Sequence, residues 1–236
     1  MSILAEPLNR HNATVAELVI MHPAAFNVFT RYNIDYCCGG HRTLQEACTR
    51  LGLNIEAIWR ELDTTPVHET RVPPRLEERS TAWLAEYIIE NHHQYVRETI
   101  PEIEALLERI CHAHGEDSIT LYNIQQDFID LTEELLNHME KEEMVVFPAL
   151  KKLEAYNGKH PLLDNLRAPI GLMEHEHTII TDLMQSIRNL SGDYTPPDYA
   201  CPTFQITYRK LKEFDDDLMV HIYLENNILF RRAQRQ

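Results

Sequence analysis

Over roughly residues 76–112, 119–153, 168–190 and 203–231, apolar positions recur at the three-and-four spacing of amphipathic helices. Turn signals separate the four stretches: Gly115 in the first break, Asn157-Gly158 in the second and "SGDYTPPDYACP" in the third. Long amphipathic segments joined by such turns predict an antiparallel up-down-up-down four-helix bundle. Ahead of them the pattern breaks into shorter pieces. Thr14 and Glu17 have the spacing of a capping box before "LVIM", and Thr43 and Glu46 repeat it before "ACTRLGL". Pro23 suits the first turn of "PAAFNVFTRYNI", and "NIEAIWREL" predicts a fourth short helix. The stretch "LDTTPVHETRVPPRLEE" carries three prolines without a hydrophobic period and reads as a linker. The expected fold is all-α: a small helical domain over 1–63, a linker over 64–75 and the bundle over 76–236.

Composition narrows this picture. A length of 236 residues suits one large domain or a large and a small one, and only 7 glycines favour helix. The formal charge of −15, without a basic cluster, argues against nucleic acid as a partner and is compatible with holding cations. No stretch approaches the ~20 apolar residues of a membrane span, and the N-terminus lacks a signal-peptide pattern. Five cysteines at 37, 38, 48, 111 and 201 have no disulfide-framework spacing. A cytoplasmic protein with reduced thiols is the expectation. The anomaly is the 13 histidines.

Their placement carries the chemistry. "HMEKEEMVVFP" from 138 and "HIYLENNILFR" from 221 both read His, Glu four residues on and Phe nine residues on. Each is preceded at a similar distance by a lone histidine, His93 and His177. In an antiparallel helix pair, residues equidistant from the turn share a height. The midpoints between successive histidines fall at Gly115 or Glu116, at Asn157-Gly158 and at Tyr199, all inside recognised turns. The four imidazoles are therefore expected in one layer of the bundle.

Each also lies on an apolar stripe. His93 has Ile89, Val96 and Ile100 on its face; His138 has Leu131, Leu135 and Val145; His177 has Ile170, Met173, Ile180 and Met184; His221 has Phe214, Leu218, Leu224 and Ile228. His92 and His175 have polar or glycine neighbours at the same offsets. Glu142 and Glu225 sit one turn beyond His138 and His221 on the same face. Four buried imidazoles and two buried carboxylates are costly unless something pairs them. A dinuclear metal centre satisfies all six, with two imidazoles per metal and both carboxylates bridging. Such nitrogen and carboxylate ligands, with an oxide or hydroxide bridge and open positions, suit iron, and also manganese. The ferritin-like pattern of a lone Glu plus Glu-x-x-His does not fit.

The remaining candidates are weaker. "YNIDYCCGG" sets Cys37 beside Cys38; adjacent α-carbons about 3.8 Å apart are below the separation disulfides prefer, so a bridge between them would be strained. A following helix start, capped by Thr43, can lower a thiol pKa, and Gly39 and Gly40 allow a sharp turn. The bland alternative is two small apolar residues packed at a helix start. Cys48 is expected in the core, with Cys111 and Cys201 incidental at bundle ends. Glu176 reads either as a carboxylate supporting the ligands or as solvated surface. Glu143, about 100° around the helix from Glu142, is expected to be exposed. Asp217, one turn before His221, is expected to orient that imidazole.

The four-histidine, two-glutamate pattern resembles the hemerythrin-like di-iron bundle. With "YCCGG", "HHQYVRETIPEI", "HMEKEEMVVFPAL", "MEHEH" and "HIYLENNILFRRA", nearly the whole chain resembles the iron–sulfur cluster repair family, also called repair of iron centres. The resemblance implies two non-haem, oxo- or hydroxo-bridged iron ions on His93, His138, Glu142, His177, His221 and Glu225. It implies restoration of clusters damaged under nitric-oxide or peroxide stress, by iron supplied from that centre. Cys37 and Cys38 would then be a nucleophilic or iron-accepting relay. The alternative reading is a nitric-oxide or oxygen binder, sensor or reductase at the open iron positions. Damaged iron–sulfur proteins or nitric oxide are the implied partners, without nucleic acid or membrane, and a homodimer is compatible with the sequence.

Overall fold

The computed structural model describes residues 12–22, 24–65, 72–73, 75–115, 118–156 and 162–234. Pro23, Glu116, the Asn157-Gly158 turn and linker residues 66–71 and 74 lie outside the described residues. Among the described residues every regular element is helical, and the one β-type contact is an isolated bridge between Thr14 and Thr43. The chain divides into two compact units, Met1–Glu78 with Ile222–Ile228, and Arg79–His221 with Leu229–Gln236.

The first unit contains α1 (Val15–Met21), α2 (Ala25–Arg31), α3 (Leu44–Leu51) and α4 (Ile55–Thr64). Both expected capping boxes form. Thr14 N–H donates to Glu17 and Glu17 N–H to the Thr14 hydroxyl, at 2.9 and 3.2 Å, and Thr43 and Glu46 repeat the exchange at 2.8 and 3.2 Å. Losing such a cap costs about 1 kcal/mol. The two helix starts are tied together, since Val15 N–H donates to Arg42 O and Leu44 N–H to Ala13 O. Ala16 N–H donates to Gly40 O at 3.0 Å, which pins the end of the "YCCGG" segment. Val15, Leu18, Val28, Phe29, Leu44 and Cys48 are fully buried. Each large apolar side chain removed from water in this way contributes about 1.5–3 kcal/mol.

Four long helical rods follow, which make up the second unit except for residues 222–228 of the last rod. Rod α5 runs through Thr81–Ile88, a π-helical turn Ile89–His93 and Gln94–His114. Rod α6 runs through Ile119–Lys141, a π turn Glu142–Val146 and Phe147–Ala155. Rod α7 is Leu162–Leu190, and α8 runs through Pro202–Tyr223, a π turn Leu224–Leu229 and Phe230–Gln234. Gly115 ends α5 and Pro202 opens α8, as the turn signals predict.

Their ends are fastened by polar groups. At the start of α5, Ser80 caps Trp83 N–H, while Glu154 of α6 accepts from Thr81 N–H at 2.7 Å and Ala82 N–H at 3.2 Å. Near the end of α7, Arg188 pairs with the buried Asp215 of α8, which also accepts from the Tyr194 hydroxyl at 2.9 Å. Between these fastenings lies an apolar core that includes Ile103, Ile124, Phe128, Leu131, Leu135, Phe214 and Leu218, each fully buried.

Candidate metal centre

Each rod delivers one histidine, and all four are buried. His93 closes the π turn of α5, His138 precedes that of α6, His177 lies on the uninterrupted α7, and His221 precedes the π turn of α8. A π turn widens the helix by one residue and is a frequent companion of functional sites. Glu142 opens one such turn and Glu225 lies in another.

The imidazoles meet in pairs. His93 Nε2 faces His221 Nε2 at 3.0 Å, and His138 Nε2 faces His177 Nε2 at 2.9 Å. Glu142 is fully buried, with Oε2 3.4 Å from His93 Nε2 and Oε1 3.4 Å from His138 Nε2. Neither of its oxygens accepts a hydrogen bond. Two sets of donor atoms result, His93-Glu142-His221-Glu225 and His138-Glu142-His177-Glu225, each with its atoms within 4.8 Å of one another. Both carboxylates belong to both sets, which is the arrangement of two bridging groups between two cations.

This donor set fits metal ions. Ligand atoms at about 2.1 Å from a metal and about 90° apart lie about 3.0 Å from each other, the separation within each imidazole pair. A buried carboxylate with no hydrogen bond costs several kcal/mol, and a cation between it and the imidazoles removes that cost.

Outer carboxylates set the imidazole tautomers. His93 Nδ1–H donates to Glu143 at 2.7 Å, and His138 Nδ1–H to Glu176 at 2.9 Å. Both Nε2 atoms are thereby left with lone pairs directed inward. Burial pushes both carboxyls up, but hydrogen bonds outweigh it: His93 and Arg97 hold Glu143, and Lys141 and His138 hold Glu176, below the ordinary carboxylate value. The repeated phenylalanines also find a purpose. Phe147 stacks on the His93 ring at 5.7 Å and Phe230 on the His177 ring at 6.1 Å, one for the lone histidine of each half.

Two expectations for neighbouring residues need correction, and one open alternative is decided. Glu143 is not an exposed bystander, because the π turn that begins at Glu142 brings it within reach of His93. Asp217 does not orient His221; it bonds His92 Nδ1 at 3.1 Å, and the His92 ring stacks on His221 at 5.7 Å. Glu176 is buried beside His138 rather than solvated. His175, the competitor of His177, is exposed. Glu143, the partner of His93, sits on a helix face that ordinary periodicity assigns to solvent, so no sequence signal marked it, whereas Glu176 was a candidate from its place beside His177.

Cys37 and Cys38 occupy the loop between α2 and α3 in the first unit. Their sulfurs are 3.9 Å apart, with Cys37 buried and Cys38 half-buried. Asp35 Oδ1 is 3.4 Å from Cys37 Sγ and accepts the Cys38 N–H at 2.9 Å. Asn227, in the π turn of α8, donates to Cys37 O at 2.7 Å and Tyr36 O at 3.2 Å. Asn226 Nδ2 lies 3.7 Å from Cys38 Sγ. The Cys37 thiol is raised well above its ordinary value, not lowered, by its hydrogen bond to Cys38, by burial and by the charge of Asp35. It is also six residues short of the first turn of α3, too far for the helix terminus to act on it.

The fold and donor set define a cation-binding helical bundle with a small N-terminal helical domain. Residues 84–233 match the hemerythrin HHE cation binding domain, and residues 11–65 match ScdA_N, a domain of unknown function (DUF542). The iron-sulfur cluster repair protein YtfE of Yersinia pseudotuberculosis serotype IB (strain PB1/+) is 32% identical over 97% of this chain and 99% of its own. YtfE of Yersinia pestis (strain Pestoides F) matches with the same identity and coverage, and that of Yersinia pseudotuberculosis serotype O:1b (strain IP 31758) is 31% identical. The chain belongs to the iron–sulfur cluster repair family. Among the described residues, no helix is long and apolar enough to cross a membrane.

Proposed function

We propose that this protein repairs iron–sulfur clusters damaged by nitrosative or oxidative stress in the cytoplasm. His93, His138, His177 and His221 hold two iron ions, with Glu142 and Glu225 bridging them. The observation that carries the reading is Glu142: a buried carboxylate that directs one oxygen to each of two imidazole pairs and takes no hydrogen bond. When bound, the two irons would supply a releasable store of the metal that damaged clusters have lost.

The residues of the chain have separate tasks in this scheme. Glu143 and Glu176 hold His93 and His138 in the tautomer that presents Nε2 inward. Phe147 and Phe230 cover two of the rings and keep water from them. Cys37 and Cys38 act as the relay that accepts iron for delivery to a damaged iron–sulfur protein. Support for the relay comes from α8, where Glu225 is followed immediately by Asn226 and Asn227, which bond to the backbone carbonyl of Cys37. The same π turn therefore carries both a candidate metal-ligating carboxylate and the side chains that hold the cysteine loop.

The test is reactivation of a damaged iron–sulfur enzyme by the iron-loaded protein. The Cys37→Ser, Cys38→Ser double variant should retain its iron and lose reactivation. Undiminished reactivation by that variant contradicts the relay. Rapid turnover of nitric oxide by the reduced protein, with no reactivation in any form, would instead favour a gas-handling role.

A further inference from the structure

We infer that Asp35, Cys37 and Cys38 form a second metal site, a three-donor site for one divalent transition-metal ion. The inference rests on the relay reading of Cys37 and Cys38 and deepens it with a third donor and the class of ion, and metal binding at the loop is tested apart from cluster reactivation. Asp35 has no part in the scheme above.

The spacing of the donors carries the inference. The two sulfurs are 3.9 Å apart, Cys37 Sγ lies 3.4 Å from Asp35 Oδ1, and all three donor atoms fall within 4.8 Å of one another. A tetrahedral ion with sulfur at about 2.3 Å and oxygen at about 2.0 Å places two sulfurs about 3.8 Å apart and a sulfur and an oxygen about 3.5 Å apart. Both measured separations match edges of such a tetrahedron, and the third donor pair lies within 4.8 Å. The sulfurs are nearly twice the length of a disulfide bond apart, and adjacent cysteines close that gap only with strain.

The loop is held in this form before any ion arrives. Asp35 Oδ1 is fixed by the Cys38 N–H, while Arg42 Nη1 stands 3.9 Å from the other oxygen, Oδ2, leaving Oδ1 turned to the sulfurs. Asn227 holds the carbonyls of Tyr36 and Cys37. The glycines follow from the same packing. A Cβ on Gly39 would lie 2.7 Å from Asp35 Oδ2 and 2.4 Å from Arg42 Nη1, and one on Gly40 would lie 2.4 Å from Asn227 Oδ1. A side chain at Gly39 would displace the carboxylate from the cluster.

Donor chemistry and exposure set the kind of ion. Two thiolates select borderline and soft metals, such as iron(II) or zinc, over magnesium and calcium. Asp35 is exposed and Cys38 half-buried, so an ion has access from solvent, and three protein donors leave a fourth position to an exogenous ligand. Binding releases the two thiol protons. The site is suited to holding an ion briefly.

Cobalt(II) alone is the probe, added to reduced, chelator-treated full-length protein. Cobalt in the bundle has only nitrogen and oxygen ligands, so a thiolate-to-cobalt charge-transfer band reports the loop. With the bundle already filled with zinc and excess zinc removed, the band should saturate at one equivalent of cobalt, persist in Cys201→Ser and vanish in the Cys37→Ser, Cys38→Ser variant. Asp35→Asn keeps an oxygen to accept the Cys38 N–H and should weaken cobalt binding at least tenfold. X-ray absorption at the cobalt edge on unmodified protein, with the bundle already filled with zinc, should show two sulfurs and at least one light-atom ligand. No band, a band that survives the double variant, an unchanged affinity in Asp35→Asn, or a cobalt shell without sulfur would overturn the assignment.

Discussion

The two donor clusters of this protein are built in opposite ways. The bundle cluster draws four imidazoles and two carboxylates from the rods, all buried, with hydrogen-bonded carboxylates behind two of the rings. The loop cluster takes an exposed carboxylate, a half-buried thiol and a buried thiol from four consecutive residues, held by backbone hydrogen bonds and two glycines. Helices fix donors far apart in sequence and suit a centre that stores ions. A short loop fixes neighbours and leaves one side open, which suits an ion that must leave. The contrast teaches that one chain can assemble candidate donors either from distant helices or from a few neighbouring loop residues.

The largest effect that would break this contrast is loss of the bridging carboxylate. Glu142→Ala should lower metal affinity of the bundle more than about 100-fold, since it removes a donor from both sets and opens a cavity between them. Metal content after gel filtration checks this, and full retention would show that Glu142 does not bridge. Next come the carboxylates behind the rings. Glu176→Gln should weaken binding by about 10–100-fold, because the amide no longer stabilises the His138 tautomer as a carboxylate does. Competition with a chelator measures it.

On the loop side, Gly40→Ala should lower stability by about 1–3 kcal/mol, because the added methyl meets Asn227 and the Tyr36 carbonyl. Thermal unfolding reads that loss, while the metal content of the bundle should stay at the unmodified level. The smallest effect is at Glu154. Burial raises its carboxyl, but the Thr81 and Ala82 N–H groups outweigh this and hold it below its ordinary 4.5. A carboxyl lowered on folding adds stability above its unfolded value and loses it as the pH falls through the folded value. Glu154→Gln should therefore cost about 0.5–1 kcal/mol at neutral pH, with the difference vanishing in acid. Denaturant titrations at the two pH values test it.

Much of this arrangement was legible in the sequence, and the exceptions share one cause. On α7, which has no π turn, Ile170, Met173, Ile180 and Met184 are all buried around His177, as a 3.6-residue period requires. On the other rods the apolar stripe slips by one residue at the π turn. Val145 was expected inside but is 56% exposed, and Val146 takes its place. Ile88 replaces Ile89 beside His93, and Leu229 replaces Ile228 beyond His221. Spacing located the histidines because three of them lie before or at the edge of a π turn and His177 lies on a rod that has none. The positions of Glu143 and Asn227 lie within or beyond those turns, where regular periodicity assigns the wrong face. Asp35 escaped notice for another reason, since a loop has no period and its approach to Cys37 depends on the fold of the whole segment.

The central claim is that six side chains hold two metal ions as one bridged centre. Mössbauer spectroscopy with iron quantitation on the iron-loaded protein tests it most directly. The account predicts two magnetically coupled irons per chain, reduced to a residual in Glu142→Ala. A single uncoupled iron, or a coupled pair that persists without Glu142, would contradict it.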